Sequence, residues 1–321
     1  GSSNFGSSHC HERFLVVSTS CFLHRMSSAC CPRVHELTKV HPALKDHGAC
    51  ILTGTGTTEE AVKGFAKNLF GAALRAVGPP AEVSERVLAS RGIGMGDEFR
   101  AHTDGHAYGD LFPDIFVLIC EHACSSGGAN FLIDGYGILD ELGACAETAW
   151  VPGALETRPV DQTSRVVSVT PIVLPAPGGR RALRCRLSGP PSTFMAQRVA
   201  ADSDNPEQDA AMLGAYHAAV ERAQVTASRV TLQPGDALIV DNYRMFHGRD
   251  PYKDAGRKMW RLWIWTDQAR GIPEGEVQST PGNTAGVVSA DNPLSSDSVK
   301  DTSDHHAAHA KRPRVAGTRT V

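Results

Sequence analysis

The 321-residue chain has nine cysteines but no Cys-x-x-Cys, an odd count, and an adjacent pair at Cys30 and Cys31. That pattern makes a poor disulfide framework and a poor zinc knuckle, and it predicts a reducing, cytoplasmic setting. Long hydrophobic runs are also missing. The longest N-terminal one, Phe14 to Leu23, is broken by Ser18, Thr19 and Ser20 and is too short to span a bilayer, so no membrane association is expected. There is no excess of positive charge either: 32 Lys plus Arg against 35 Asp plus Glu leave −3, and nucleic acid is not an expected partner. From Pro273 to Val321 there is no aromatic residue at all. A stretch so short of apolar side chains cannot bury enough surface to order itself, so 269–321 is expected to be a disordered polar tail. Its His305, His306, His309 and Lys311-Arg312-Pro313-Arg314 read as a solvated end. At the other terminus, the Ser-, Cys- and His-rich residues 1–33 predict a flexible segment.

What is present between these ends is a soluble body, 34–268, with 41 % hydrophobic residues in the chain as a whole. Thr57 and Glu60 have capping-box spacing ahead of Val62, Phe65, Leu69 and Ala73, which predicts a helix over about 58–76. Asn205-Pro206 opens a second helix through Met212, Leu213, Tyr216 and Val220. Elsewhere short β-type runs dominate: 115–120, 130–133, 166–174, 181–187, 230–232, 237–240 and 259–265. Without regular β-α alternation, they predict an antiparallel sandwich or barrel with peripheral helices. Gly92-x-Gly94-x-Gly96 fits neither phosphate-loop pattern and is expected to be a flexible loop.

His102-Thr103-Asp104 sets an imidazole and a carboxylate two residues apart, on one side of extended backbone and about 6–7 Å along it. Both can reach one metal ion. His106 continues the alternation but lies about 13 Å from His102 along a straight strand, whereas ligand bonds are about 2 Å, so a third ligand must come from elsewhere. His247, after the run 237–240, is the best placed. Two imidazoles and a carboxylate form the facial set of non-haem Fe(II) oxygenases, which leaves positions open for cosubstrate and O2.

Ala101-His102-Thr103-Asp104-Gly105, Pro113, Ile115 to Cys120, Gly127-Gly128-Ala129-Asn130, Pro234-Gly235-Asp236 through Asp241-Asn242, His247-Gly248-Arg249 and Arg261 resemble, in order and spacing, the Fe(II)/2-oxoglutarate oxygenases of the taurine dioxygenase and clavaminate synthase-like group. Gly48 to Gly54 resembles that group's opening strand. The resemblance spans roughly residues 36 to 267. It implies a mainly β, cupin-like double-stranded β-helix, or jelly roll, in which His102, Asp104 and His247 hold Fe(II). It also implies 2-oxoglutarate and O2 as cosubstrates, with Arg261 pairing with the far carboxylate of 2-oxoglutarate. Asn130 stands where the group has a threonine that bonds the cosubstrate, and its amide can donate in the same way. Arg261, Trp263 and Trp265 alternate on one face of the run 259–265, so both indoles are expected either to line the cavity or to serve as core.

For substrate contacts, His106 and Tyr108 are lid candidates, with an exposed loop histidine as the plainer reading of His106. Arg244 and Arg249 are candidates for a substrate carboxylate, with salt bridges to Asp241 or Asp250 as the plainer alternative. The implied reaction oxidises an unactivated C–H bond of a small molecule, an amino acid or related carboxylate, by hydroxylation, desaturation or ring closure such as aziridine formation, with succinate and CO2 released. A sulfonate or carboxylate catabolic dioxygenase is the nearest rival; a zinc hydrolase or a non-catalytic metal-binding jelly roll are the others.

Overall fold

The computed structural model describes residues 31–89, 94–143, 155–158, 168–187, 196–199 and 203–274, and the two-residue strands Gln278–Ser279 and Val287–Val288. Gly92, most of the N-terminal segment and the histidine-rich and basic tail lie outside the described residues. Residues 269–274, on the tail side of the expected boundary, continue the described body: the Arg270 amide donates to the Tyr243 hydroxyl at 3.0 Å.

Two sheets face each other. The larger runs Arg33–Val34, Ala49–Leu52, Ala237–Asp241, Ile115–His122, Lys258–Thr266, Leu74–Val77 and Gln278–Ser279, with Ala81–Ser84 also paired to Lys258–Thr266. The smaller is four-stranded: Arg229–Val230, Asn130–Asp134, Met245–Arg249 and Phe99–His102. Side-chain alternation divides each strand between an outer and an inner face. On Ile115–His122, Ile115, Val117 and Ile119 pack outward with Phe65 and Leu69 of the helix Glu59–Phe70, while Phe116, Leu118 and Cys120 face Leu132 and Met245 of the smaller sheet. The smaller sheet is covered in turn by the helix Pro206–Thr226, whose Leu213, Tyr216 and Val220 pack on Phe131, Ile133 and Phe246. Among the described residues, no helix is long and apolar enough to cross a membrane.

Several local expectations change. The first helix begins one residue later than the capping pattern suggested, since the Thr58 hydroxyl, not Thr57, accepts from the Ala61 amide at 3.3 Å. It ends at Phe70 rather than near 76. Leu74 and Ala76, which fit the helical period, are buried instead in the strand Leu74–Val77, which pairs with Ile264, Trp265 and Thr266. The run 166–174 is interrupted between Ser168–Thr170 and Val173–Ala176. Regular pairing of 181–187 stops at Leu183, after which Arg186 forms a lone bridge to His102.

Candidate functional site

His102 ends its strand, and the chain then turns through Asp104 to Gly105 at φ +83. A Cβ at Gly105 would sit 2.2 Å from Pro113 Cδ, so the turn that presents Asp104 requires glycine. Asn242 locks the turn: its Oδ1 accepts from the Asp104 amide at 3.0 Å, and its Nδ2 donates to the carbonyls of Asp104 and Pro113. Directly across the smaller sheet, His247 pairs in register with His102, and directly opposed residues project to the same face. The three side chains therefore meet. Asp104 Oδ1 lies 3.4 Å from His102 Nε2 and 3.9 Å from His247 Nε2, and one ligand atom from each residue falls within 4.8 Å of the others.

The chemistry of this donor set suits a divalent metal. His102 Nδ1 donates to the Arg100 carbonyl at 2.8 Å, which leaves Nε2 with its lone pair facing the vertex. His247 is 6 % exposed and neither of its ring nitrogens has a hydrogen-bond partner. A buried imidazole is not left bare without cost, and a ligand bond resolves it. Burial pushes the His247 ring down to about 3 and lowers His102 as well, so both are neutral ligands near pH 7. Burial alone would raise Asp104, but its neighbours, the His102 ring and the Arg261 charge, hold its carboxyl well below the usual range. The Trp263 indole donates to Asp104 Oδ2 at 2.7 Å and fixes the carboxylate's orientation. Phe116 stacks on the His247 ring, centroids 4.1 Å apart and 13° from parallel.

A second group of unpartnered atoms lies farther along the same interior face. Asn130 pairs with Arg249, two residues beyond the Leu132–His247 pair, which places it about 6–7 Å along the strands from the triad. Its buried Nδ2 has no partner; nor do Nε and Nη1 of Arg257, which is 1 % exposed, or the hydroxyl of Tyr252. The Gly127-Gly128 turn admits these groups: a Cβ on Gly128 would lie 3.2 Å from Tyr252 Cβ and 3.5 Å from Arg257 Nε. Arg249 and Arg257 sit over the Tyr252 ring at 4.4 and 5.3 Å. Among the described residues, neither guanidinium has a carboxylate within salt-bridge distance. Two such charges indoors without an anion are costly.

The other expected residues fall as follows. Arg261 projects from the larger sheet, its Nη1 3.8 Å from Asp104 Oδ2 and its guanidinium 4.0 Å over the Trp263 ring. His106 is buried rather than an exposed loop residue, with its nitrogens at the Cys185 carbonyl and Arg184. Tyr108 wedges edge-on between Trp263 and Trp265, and Trp265 is fully buried with its indole donating to the Leu111 carbonyl. Of the two indoles only Trp263 reaches the triad. Arg249 spends donors on the carbonyls of Asp250 and Asp97, and Arg244 pairs with Asp134, not with Asp241 or Asp250. The sequence marks neither Arg257 nor Arg186, and it shows Asn242 only as part of a motif, with no role assigned. Arg257 reads there as a loop cation between Gly256 and Lys258, and only its burial marks it.

Over residues 32–263 the sequence matches the taurine catabolism dioxygenase TauD, TfdA family. The chain belongs to that family. This TauD/TfdA-family protein is accordingly an Fe(II)- and 2-oxoglutarate-dependent dioxygenase with a cupin-like, mainly β fold. Asparagine oxygenase in complex with Fe(II), 2S,3S-3-hydroxyasparagine and succinate is 17 % identical, with TM-score 0.51, covering 72 % of this chain and 78 % of that one. A taurine dioxygenase from Burkholderia xenovorans is 16 % identical, with TM-score 0.50, covering 79 % and 94 %. PvcB from Pseudomonas aeruginosa is 19 % identical, with TM-score 0.48, covering 77 % and 83 %.

Proposed function

We propose that the protein oxidises an unactivated C–H bond of a small amino acid or related carboxylate, with His102, Asp104 and His247 as the Fe(II) ligands. The two facing sheets are read as a double-stranded β-helix with this site in its interior. The observation that carries the proposal is the convergence of three ligand atoms within 4.8 Å on a face that also holds an unpartnered buried guanidinium. Fe(II), 2-oxoglutarate and O2 would supply the oxidising power, with succinate and CO2 released. The chain's own residues do the rest. His102, Asp104 and His247 would hold the metal and leave ligand positions for the cosubstrate. Trp263 and Asn242 hold Asp104 in place from side chain and backbone.

For the far carboxylate of 2-oxoglutarate, Arg257 and Asn130 are better suited than Arg261. Arg257 offers buried N–H groups without a hydrogen-bond partner, charged donors of the kind that receives a carboxylate. Asn130 adds a third donor at about the reach of a five-carbon diacid. Arg261 instead stands beside Asp104 at the metal. From the other sheet, Arg186 emerges on the same face as His102, its bridge partner. These two cations flank the vertex and favour a substrate carrying a carboxylate there. Hydroxylation, desaturation and ring closure are all open to such a site.

The test is an anaerobic titration of 2-oxoglutarate into the Fe(II)-loaded protein, followed by succinate release across an amino-acid panel. A metal-to-ligand charge-transfer band and substrate-dependent succinate are expected; absence of the band in iron-loaded protein would overturn the assignment. Arg257→Gln should weaken 2-oxoglutarate binding strongly, whereas Arg261→Gln should act mainly on the primary substrate's KM. The reverse pattern would return the anchor to Arg261.

A further inference from the structure

The four unpartnered atoms around the Gly127-Gly128 turn share a property beyond their burial. Asn130 Nδ2 and Arg257 Nε and Nη1 can only donate, and the Tyr252 hydroxyl donates as well. Three of these atoms are donors only and the fourth can donate, so the cluster suits an acceptor-only group, and an ionised carboxylate has about four lone-pair sites. The tyrosine is fixed for this purpose. Its amide donates to the Met95 carbonyl at 2.9 Å, its backbone bridges Gly127, and its ring is overlain by Arg249 and Arg257.

We propose that Tyr252 is a positioning residue for the cosubstrate, its hydroxyl joining Asn130 and Arg257 as a donor to the distal carboxylate of 2-oxoglutarate. The proposal deepens the reading given above and rests on it. Burial raises the phenol above its ordinary range, so the hydroxyl remains a donor near neutral pH. The ring and the hydroxyl have separable duties. The ring carries two guanidinium contacts and shapes the wall, whereas the hydroxyl has no duty within the protein. Tyr252→Phe removes only the second.

The experiment is calorimetric titration, under nitrogen, of the Fe(II)-loaded full chain with 2-oxoglutarate and with 2-oxopentanoate, which keeps the keto-acid end and lacks the far carboxylate. Tyr252→Phe should weaken 2-oxoglutarate about ten-fold, in line with loss of a hydrogen bond to a charged group, and leave 2-oxopentanoate unchanged. A merely structural tyrosine would weaken both ligands alike, and that result would overturn the proposal, as would unchanged 2-oxoglutarate affinity. Arg257→Gln separates the two levels of inference. If it weakens 2-oxoglutarate and Tyr252→Phe does not, the tyrosine assignment alone fails. If wild-type protein does not bind 2-oxoglutarate, or Arg257→Gln leaves its affinity intact, the carboxylate site itself fails and the tyrosine with it.

Discussion

The two sheets share one interior but meet its demands differently. The smaller sheet contributes His102, His247 and Asn130, side chains whose polar atoms are exposed to the interior and left without protein partners or held for a ligand. The larger sheet contributes Phe116, Trp263 and Arg261, which press on those groups and orient them. Its outer face, with Leu262 and Ile264, is plain hydrophobic core. The strand Lys258–Thr266 thus carries both jobs, separated only by alternation. The lesson is that the four-stranded layer presents polar groups that await a ligand, while the wider layer orients them and carries the apolar packing.

This division of labour can be broken at several points, beginning with the largest effect. His247→Ala should abolish iron binding and turnover, read by metal content and succinate release, while a thermal melt of the metal-free protein changes little; retained iron would shift the ligand set. Leu262→Ala, on the outer face, should behave in the opposite sense, costing about 2–5 kcal/mol of stability by denaturant titration. Its folded fraction should bind iron normally. Trp263→Phe tests the boundary between the layers. Losing the indole donor to Asp104 should weaken iron about 10–100-fold without removing a ligand, and an unchanged affinity would make that indole mere packing.

The smallest effect concerns pH. Burial pushes His217, on the covering helix, down to about 4 from its ordinary 6.5. The unfolded chain then takes up a proton near pH 6.5 that the folded chain refuses, so stability present above that pH is lost as pH falls toward 4. The slope is about 1.4 kcal/mol per pH unit for one such group. His217→Gln should remove that share of the slope, visible as a shrinking stability difference between wild type and variant in acid melts of metal-free protein. Asp114 opposes the trend: burial raises it to about 6, so it favours folding as pH falls below that value.

Much of the site was legible in sequence because its logic is local. His102 and Asp104 are two residues apart, and the turn between strand and Gly105 only sharpens what extended geometry already suggested. The placement of His247 followed from the apolar run before it. The anion end was not legible in the same way. Arg257 lies in a turn next to glycine and lysine, where a cation normally faces water, and its burial arises from the packing of Tyr252 and Gly128, distant in sequence from one another. The helix boundary failed for a related reason: Leu74 fits the 3.6-residue period and the two-residue period equally, and only pairing with Thr266 decides between them. Arg186 reaches the site through a single bridge outside any regular strand, a contact that no periodicity announces.

The hydrogen shared between the Trp263 indole and Asp104 gives the protein its own optical gauge. A paramagnetic ion bound beside that carboxylate should quench the indole, so the dimming of intrinsic fluorescence as ferrous ion is added would follow the fraction of molecules filled, without label, dye or turnover.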